Sequence, residues 1–169
     1  AGEGVTSGMV QLEIAADVAG QLLNEGGYLT RARLWPVNAR YVEAQGKAFA
    51  GQLATLIGAM STSAQENDFF FRNNVIFSEK TFAALGRGEP LVFSAGEMAV
   101  MALKMLWGVL SGQLRVSTIR SLLGGMKNGS LAETLYADYP ANEAGYDAWV
   151  KRADMFWKAC GSMAENTIQ

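Results

Sequence analysis

The side chains able to move a proton or attack an electrophile are few and poorly grouped. The chain of 169 residues holds 14 Lys+Arg, 16 Asp+Glu and one cysteine, but no histidine. The missing histidine removes the one group whose ordinary pKa lies near neutrality, and with it the commonest transition-metal ligand. A serine nucleophile would then need a lysine base, usually announced by Ser-x-x-Lys, and no serine here has a lysine three residues on. Zinc and di-iron patterns need Cys and His sets that the chain lacks.

Phosphate and calcium chemistry fare no better. The segment Gly124-Gly125-Met126-Lys127-Asn128-Gly129-Ser130 has the residue types of a phosphate-cradling loop but not their order. Gly86-x-Gly88 lacks the third glycine and the long apolar strand that a dinucleotide turn requires. Asp138 to Asp147 is acidic, but Pro140 occupies a ligand-type position and the calcium-loop spacing is missing. Glu13 and Asp17, four apart, read as the polar edge of a helix. Cys160, on a helix face dense in Trp and Phe, reads as a small buried hydrophobe. No catalytic residue, cofactor or metal follows from these patterns.

What remains is surface chemistry. Gly46, Ala50, Ala54 and Gly58 recur every four residues and form a stripe along which another helix could approach closely. Met98, Met101 and Met105 give one segment an adaptable apolar face. Trp149 and Trp157 lie on the apolar stripe of the last helix, and together with the small-residue stripe and the methionines they form the expected association surface. Arg31, Arg33 and Arg40, interleaved with Tyr28, Trp35 and Tyr41, are the candidate anion contacts. Between Glu97 and Glu133 lie Lys104, Arg115, Arg120 and Lys127 and no anion, whereas residues 133–169 are net acidic. Complementary patches of this kind steer head-to-tail contacts between copies.

The elements that must carry these residues are helical. Val10, Ile14, Val18 and Leu22 step by four, with Ser7 as a cap and Gly26-Gly27 as a stop. A long helix is expected from about Pro36 to Met60, with proline in its first turn. Ser63 and Glu66 form a capping-box pair after a break at 61–63, and Ser94 and Glu97 form another, opening a helix that ends at Ser111-Gly112. A loop is expected over Gly86 to Pro90. Ser117 to Leu123 reads as a short helix ending at Gly124-Gly125, with a turn at Asn128-Gly129. Ser130 and Glu133 then cap a further helix bounded by Pro140. The last helix carries Tyr146, Trp149, Val150, Ala153, Phe156, Trp157 and Cys160 on one stripe.

The expectation is therefore an all-α, single-domain bundle over residues 1–169, with about five to six helices, one or two of them long. Half of the residues are apolar, only 18% are charged and the net charge is −2. That balance makes nucleic acid an unlikely partner and leaves apolar surface in search of one. The functional expectation is a non-enzymatic structural or interaction subunit of a larger assembly, of secretion-apparatus, appendage or virion type, associating with itself or with other protein subunits. The alternatives are a helical carrier of an apolar ligand or lipid, held between the Met-rich helix and Phe69 to Phe71, and a membrane-active helical protein acting at a lipid surface. The first residue, Ala1, fits either signal cleavage or removal of an initiator methionine. An extracytoplasmic or particle-associated setting is favoured.

Overall fold

Several helices begin where a hydroxyl side chain replaces a missing backbone partner. Thr30, Ser63 and Ser94 all have extended backbone, and each accepts a hydrogen bond from the amide three residues on. At Ser63 and Ser94 the reciprocal bond from Glu66 or Glu97 completes the capping box read from the sequence. A computed structural model describes residues 3–76, 78–86 and 93–168. In chain order its helices are α1 Glu3–Glu25, α2 Arg31–Tyr41, α3 Lys47–Ala59, α4 Ala64–Arg72, α5 Glu79–Gly86, α6 Ala95–Leu110, α7 Val116–Ala137 and α8 Tyr146–Ile168. A π turn at Val42–Gly46 joins α2 to α3, so they form one helix of 29 residues. Counted that way, seven helices and no strand are present among the described residues, an all-α fold with one helix more than expected.

Two helix starts differ from the sequence reading. Ser7 does not cap α1 but lies inside it, where its hydroxyl hydrogen-bonds the Tyr41 hydroxyl on α2. The long helix starts at Arg31 rather than Pro36, because Thr30 supplies the cap, and Pro36 stands in the second turn, unable to donate to the carbonyl four residues back. The neighbouring Trp35 is buried and donates from Nε1 to the Pro140 carbonyl at 2.8 Å, which ties this turn to the α7–α8 connection. The expected stops at Gly26-Gly27 and Gly112 do form, each with φ between +73 and +90. The loop expected from Gly86 falls on 87–90, outside the described residues.

The largest difference is α7. The two helices expected over Ser117 to Leu123 and Ser130 to Pro140 are one continuous helix, running through Gly124-Gly125 and Asn128-Gly129-Ser130. Tertiary packing explains it. A Cβ on Gly125 would lie 2.7 Å from the Thr55 carbonyl oxygen and 2.9 Å from the Gly58 Cα; one on Gly129 would collide with Thr55 Oγ1. The glycines that weaken α7 as an isolated helix thus let its backbone lie directly on α3. Around this crossing Ala50, Ala54 and Ala132 are buried, with Tyr136, Phe156 and Trp157 packed on them. A second cluster joins Phe69, Phe70, Val75 and Leu114, covered by Met101, Met105 and Val109 of α6.

Candidate functional site

The three arginines expected to contact an anion are already engaged within the chain. Arg31 pairs with Glu143 at 3.0 Å. Arg33 pairs with Glu25 at 2.9 Å and donates to the Gly26 carbonyl at 2.8 Å, and Arg40 pairs with Asp17. These bonds tie α2 to the body and end of α1 and to the turn before α8. Each of these cations is thus paired with a carboxylate of the same chain, and the pairs fasten one element to another.

The expected association surface is also mostly internal. Ala50 and Ala54 are buried, and Gly58 meets the backbone of Gly125 and Ser121, so the small-residue stripe serves the α3–α7 crossing inside one chain. Gly46 lies in the π turn beside Val42. Trp149 is buried and donates to the Leu135 carbonyl at 2.9 Å; Trp157 is half-buried and donates to the Tyr136 hydroxyl at 3.3 Å. Met101 and Met105 pack against the Phe69–Phe70 cluster. Of this set, Met98 is the large side chain that stays exposed.

The most perturbed carboxyl is Glu66, which sequence patterning marks only as a capping residue. It is buried, and burial alone would push its pKa up; hydrogen bonds from Arg115, the Ser63 amide and Thr118 outweigh that and hold it far below the usual carboxylate range. Its oxygens accept from Arg115 Nη2 at 2.8 Å, Arg115 N at 3.0 Å, Thr118 Oγ1 at 2.6 Å and Ser63 N at 2.9 Å. Arg115 is the N-cap of α7 and offers no side-chain cap of its own. A carboxylate from α4 therefore stands at the positive end of α7, so Glu66 starts its own helix and anchors another. At the other end of α4, Lys104 Nζ donates to the Asn73 carbonyl at 2.6 Å, a cation at a helix C-terminus. Glu97 is lowered to about 2, chiefly by the hydrogen bond from Lys80 at 2.7 Å. Burial pushes the Cys160 thiol up, away from nucleophilic use.

An open depression of about 460 Å³ borders the π turn, lined by Glu43, Ala44, Lys47, Ala48, Glu133, Thr134 and Ala137. Its lysine is paired with Glu43. Among the described residues no group of carboxylates or cysteine could hold a metal ion, and no helix is long and apolar enough to cross a membrane.

The outstanding surface is apolar. Among the described residues 13 hydrophobic side chains are buried, whereas 23 large ones are exposed. On α6, Val100, Leu103, Trp107 and Leu110 alternate at spacings of three and four and point away from the Phe69–Phe70 cluster; Leu103, Trp107 and Leu110 are 67%, 64% and 73% exposed. That spacing is the one found along the apolar seam of paired helices. The chain's accessible surface is 11052 Å². A monomer of 18.1 kDa is expected to expose roughly 8,100 Å², which leaves an excess of about 3,000 Å². The apolar surplus of α6 is visible in its sequence through the methionines, but the open seam is formed by their neighbours; periodicity identifies a seam without saying which of two apolar faces turns inward.

No family model matches the chain, and neither a curated protein nor a solved structure is significantly similar to it.

Proposed function

We propose that this chain is a non-enzymatic structural subunit that completes its fold by associating with further copies of itself in a larger assembly, of secretion-apparatus, appendage or virion type. The surplus of exposed surface carries this reading. Standard complexes cover about 800 Å² on each partner, and obligate interfaces cover more and are more apolar. An excess of about 3,000 Å² per chain matches more than one such contact, and Leu, Met, Val and Trp are among the exposed large side chains. The outer seam of α6 is the most concentrated part of it.

The test replaces Leu103 and Trp107 on that seam by Asp and Ser. Both side chains are exposed, so the fold should survive, as far-UV circular dichroism would verify. Multi-angle light scattering should show the unaltered chain in particles heavier than 18.1 kDa and the double variant in smaller ones. A strictly monomeric unaltered chain would defeat the reading. Lipid retained at one-to-one stoichiometry in native mass spectrometry would favour a carrier instead.

A further inference from the structure

Two further helices carry an unpartnered seam, and their charged edges are opposite in sign. On α1, Ile14 and Val18 turn inward, yet Val5, Met9, Leu12 and Ala16 form a second row at spacings of four, three and four on the opposite side. Val5, Met9 and Leu12 are 71%, 65% and 70% exposed. On α7, Gly125 and Gly129 turn toward α3, while Val116, Ile119, Leu123 and Met126 form an outer row at spacings of three, four and three. Val116, Leu123 and Met126 are exposed.

The flanking charges distinguish the two rows. In heptad terms Glu13 follows the core position of Leu12, and Arg120 and Lys127 follow those of Ile119 and Met126, so all three occupy the same edge position. The neighbouring acids Asp17 and Glu25 are paired with Arg40 and Arg33, whereas Glu13, Arg120 and Lys127 form no ion pair among the described residues. An anionic edge beside one apolar row and a cationic edge beside the other make each row a better match for the other than for itself.

We infer that the outer row of α1 docks antiparallel against the outer row of α7 in a second copy of this chain. The orientation follows from the edge position: equivalent edges of two helices face each other when the helices run in opposite directions, which brings Glu13 between Arg120 and Lys127. Because the two patches differ, each copy keeps a free α7 row after its α1 row is covered. Such a contact is heterologous and propagates into a ring or a filament. The inference rests on the assembly reading above and specifies one of its contacts.

A complementation experiment tests it. Leu12→Asp spoils the α1 row and Leu123→Asp spoils the α7 row; both positions are exposed, and circular dichroism confirms that each variant folds. Each variant alone should lose the open-ended growth of the unaltered chain, while an equimolar mixture should form a mixed contact through the two intact rows. Size-exclusion chromatography with one partner labelled reads this directly. Glu13→Lys should weaken the contact, and combining it with Arg120→Glu and Lys127→Glu in the same chain should restore it. If both single variants assemble like the unaltered chain, the α1–α7 contact is wrong although the assembly reading stands. If the variants lose assembly but their mixture does not associate, the contact is not heterologous and the inference is overturned. A monomeric unaltered chain defeats both readings together.

Discussion

The backbone-to-backbone crossing of α3 and α7 gives a quantitative prediction. Alanine at Gly125 would put its Cβ 2.7 Å from the Thr55 carbonyl oxygen, and alanine at Gly58 would put its Cβ 2.6 Å from both the Gly125 Cα and the Ser121 carbonyl oxygen. Every one of these neighbours is backbone, so no side chain can rotate away, and α3 and α7 must move apart. Overpacking of this kind costs about 1–3 kcal/mol, against a gain of about 1 kcal/mol from the better helix propensity of alanine. Gly125→Ala should therefore be destabilising, by up to about 2 kcal/mol, and a chain of this size loses about 2–4 °C in Tm per kcal/mol. Gly20, inside the C-terminal half of α1, is the control: a methyl group there would meet nothing within 4 Å, so Gly20→Ala receives the propensity gain alone. Thermal unfolding at one fixed protein concentration should place Gly125→Ala below the unaltered chain and Gly20→Ala above it, the concentration being fixed because association itself raises Tm. A Gly125→Ala protein that melts with Gly20→Ala would refute the close crossing and the account of why α7 is a single helix.

Two further perturbations test the fastenings between helices. Glu66→Gln removes the charge that anchors Arg115 and the start of α7 and should cost about 2–4 kcal/mol in chemical denaturation, because several charge-assisted bonds to a buried group are lost together. The folded-state pKa of Glu66 lies below its ordinary value of 4.5, so its stabilisation is fully present above that pH and declines as the pH falls below it. The unaltered chain should lose stability on acidification through that range, and the Glu66→Gln variant should show a flatter profile there; equal slopes would remove Glu66 from the anchor role. Trp35→Phe keeps an aromatic ring but removes the donor to the Pro140 carbonyl, and should cost about 1–3 kcal/mol by leaving a carbonyl unpaired. Unchanged stability would show that the ring contacts with Tyr139 and Tyr146, rather than this bond, hold α2 to the α7–α8 turn.

The sequence is legible where local physics decides the outcome. The capping boxes at Ser63 and Ser94 and the stops at Gly26-Gly27 and Gly112 depend on a few adjacent residues, and they form as expected. Gly124-Gly125 misleads because an isolated helix is weakened by glycine, while the compensating contact comes from Gly58 and Thr55, far away in sequence. The same distance hides Glu66, whose partners Arg115 and Thr118 lie about fifty residues on. On the association surface, an apolar stripe indicates burial without naming the partner. The stripe holding Trp149 and Trp157 is covered by the chain's own α3 and α7, and the rows on α1, α6 and α7 are left open. The two-sided character of α1 is legible in principle, since Val10, Ile14, Val18 and Leu22 mark one face and Val5, Met9, Leu12 and Ala16 the other.

The exposed rows on α1, α6 and α7 hold large apolar side chains that, under the proposed function, other copies of the chain cover. Sedimentation velocity across a concentration series from about 1 to 100 µM, the range over which specific contacts of moderate affinity fill, reads such association in solution. The weight-average sedimentation coefficient should climb with concentration toward species of several chains. A single, concentration-independent boundary at 18.1 kDa throughout the series would contradict it.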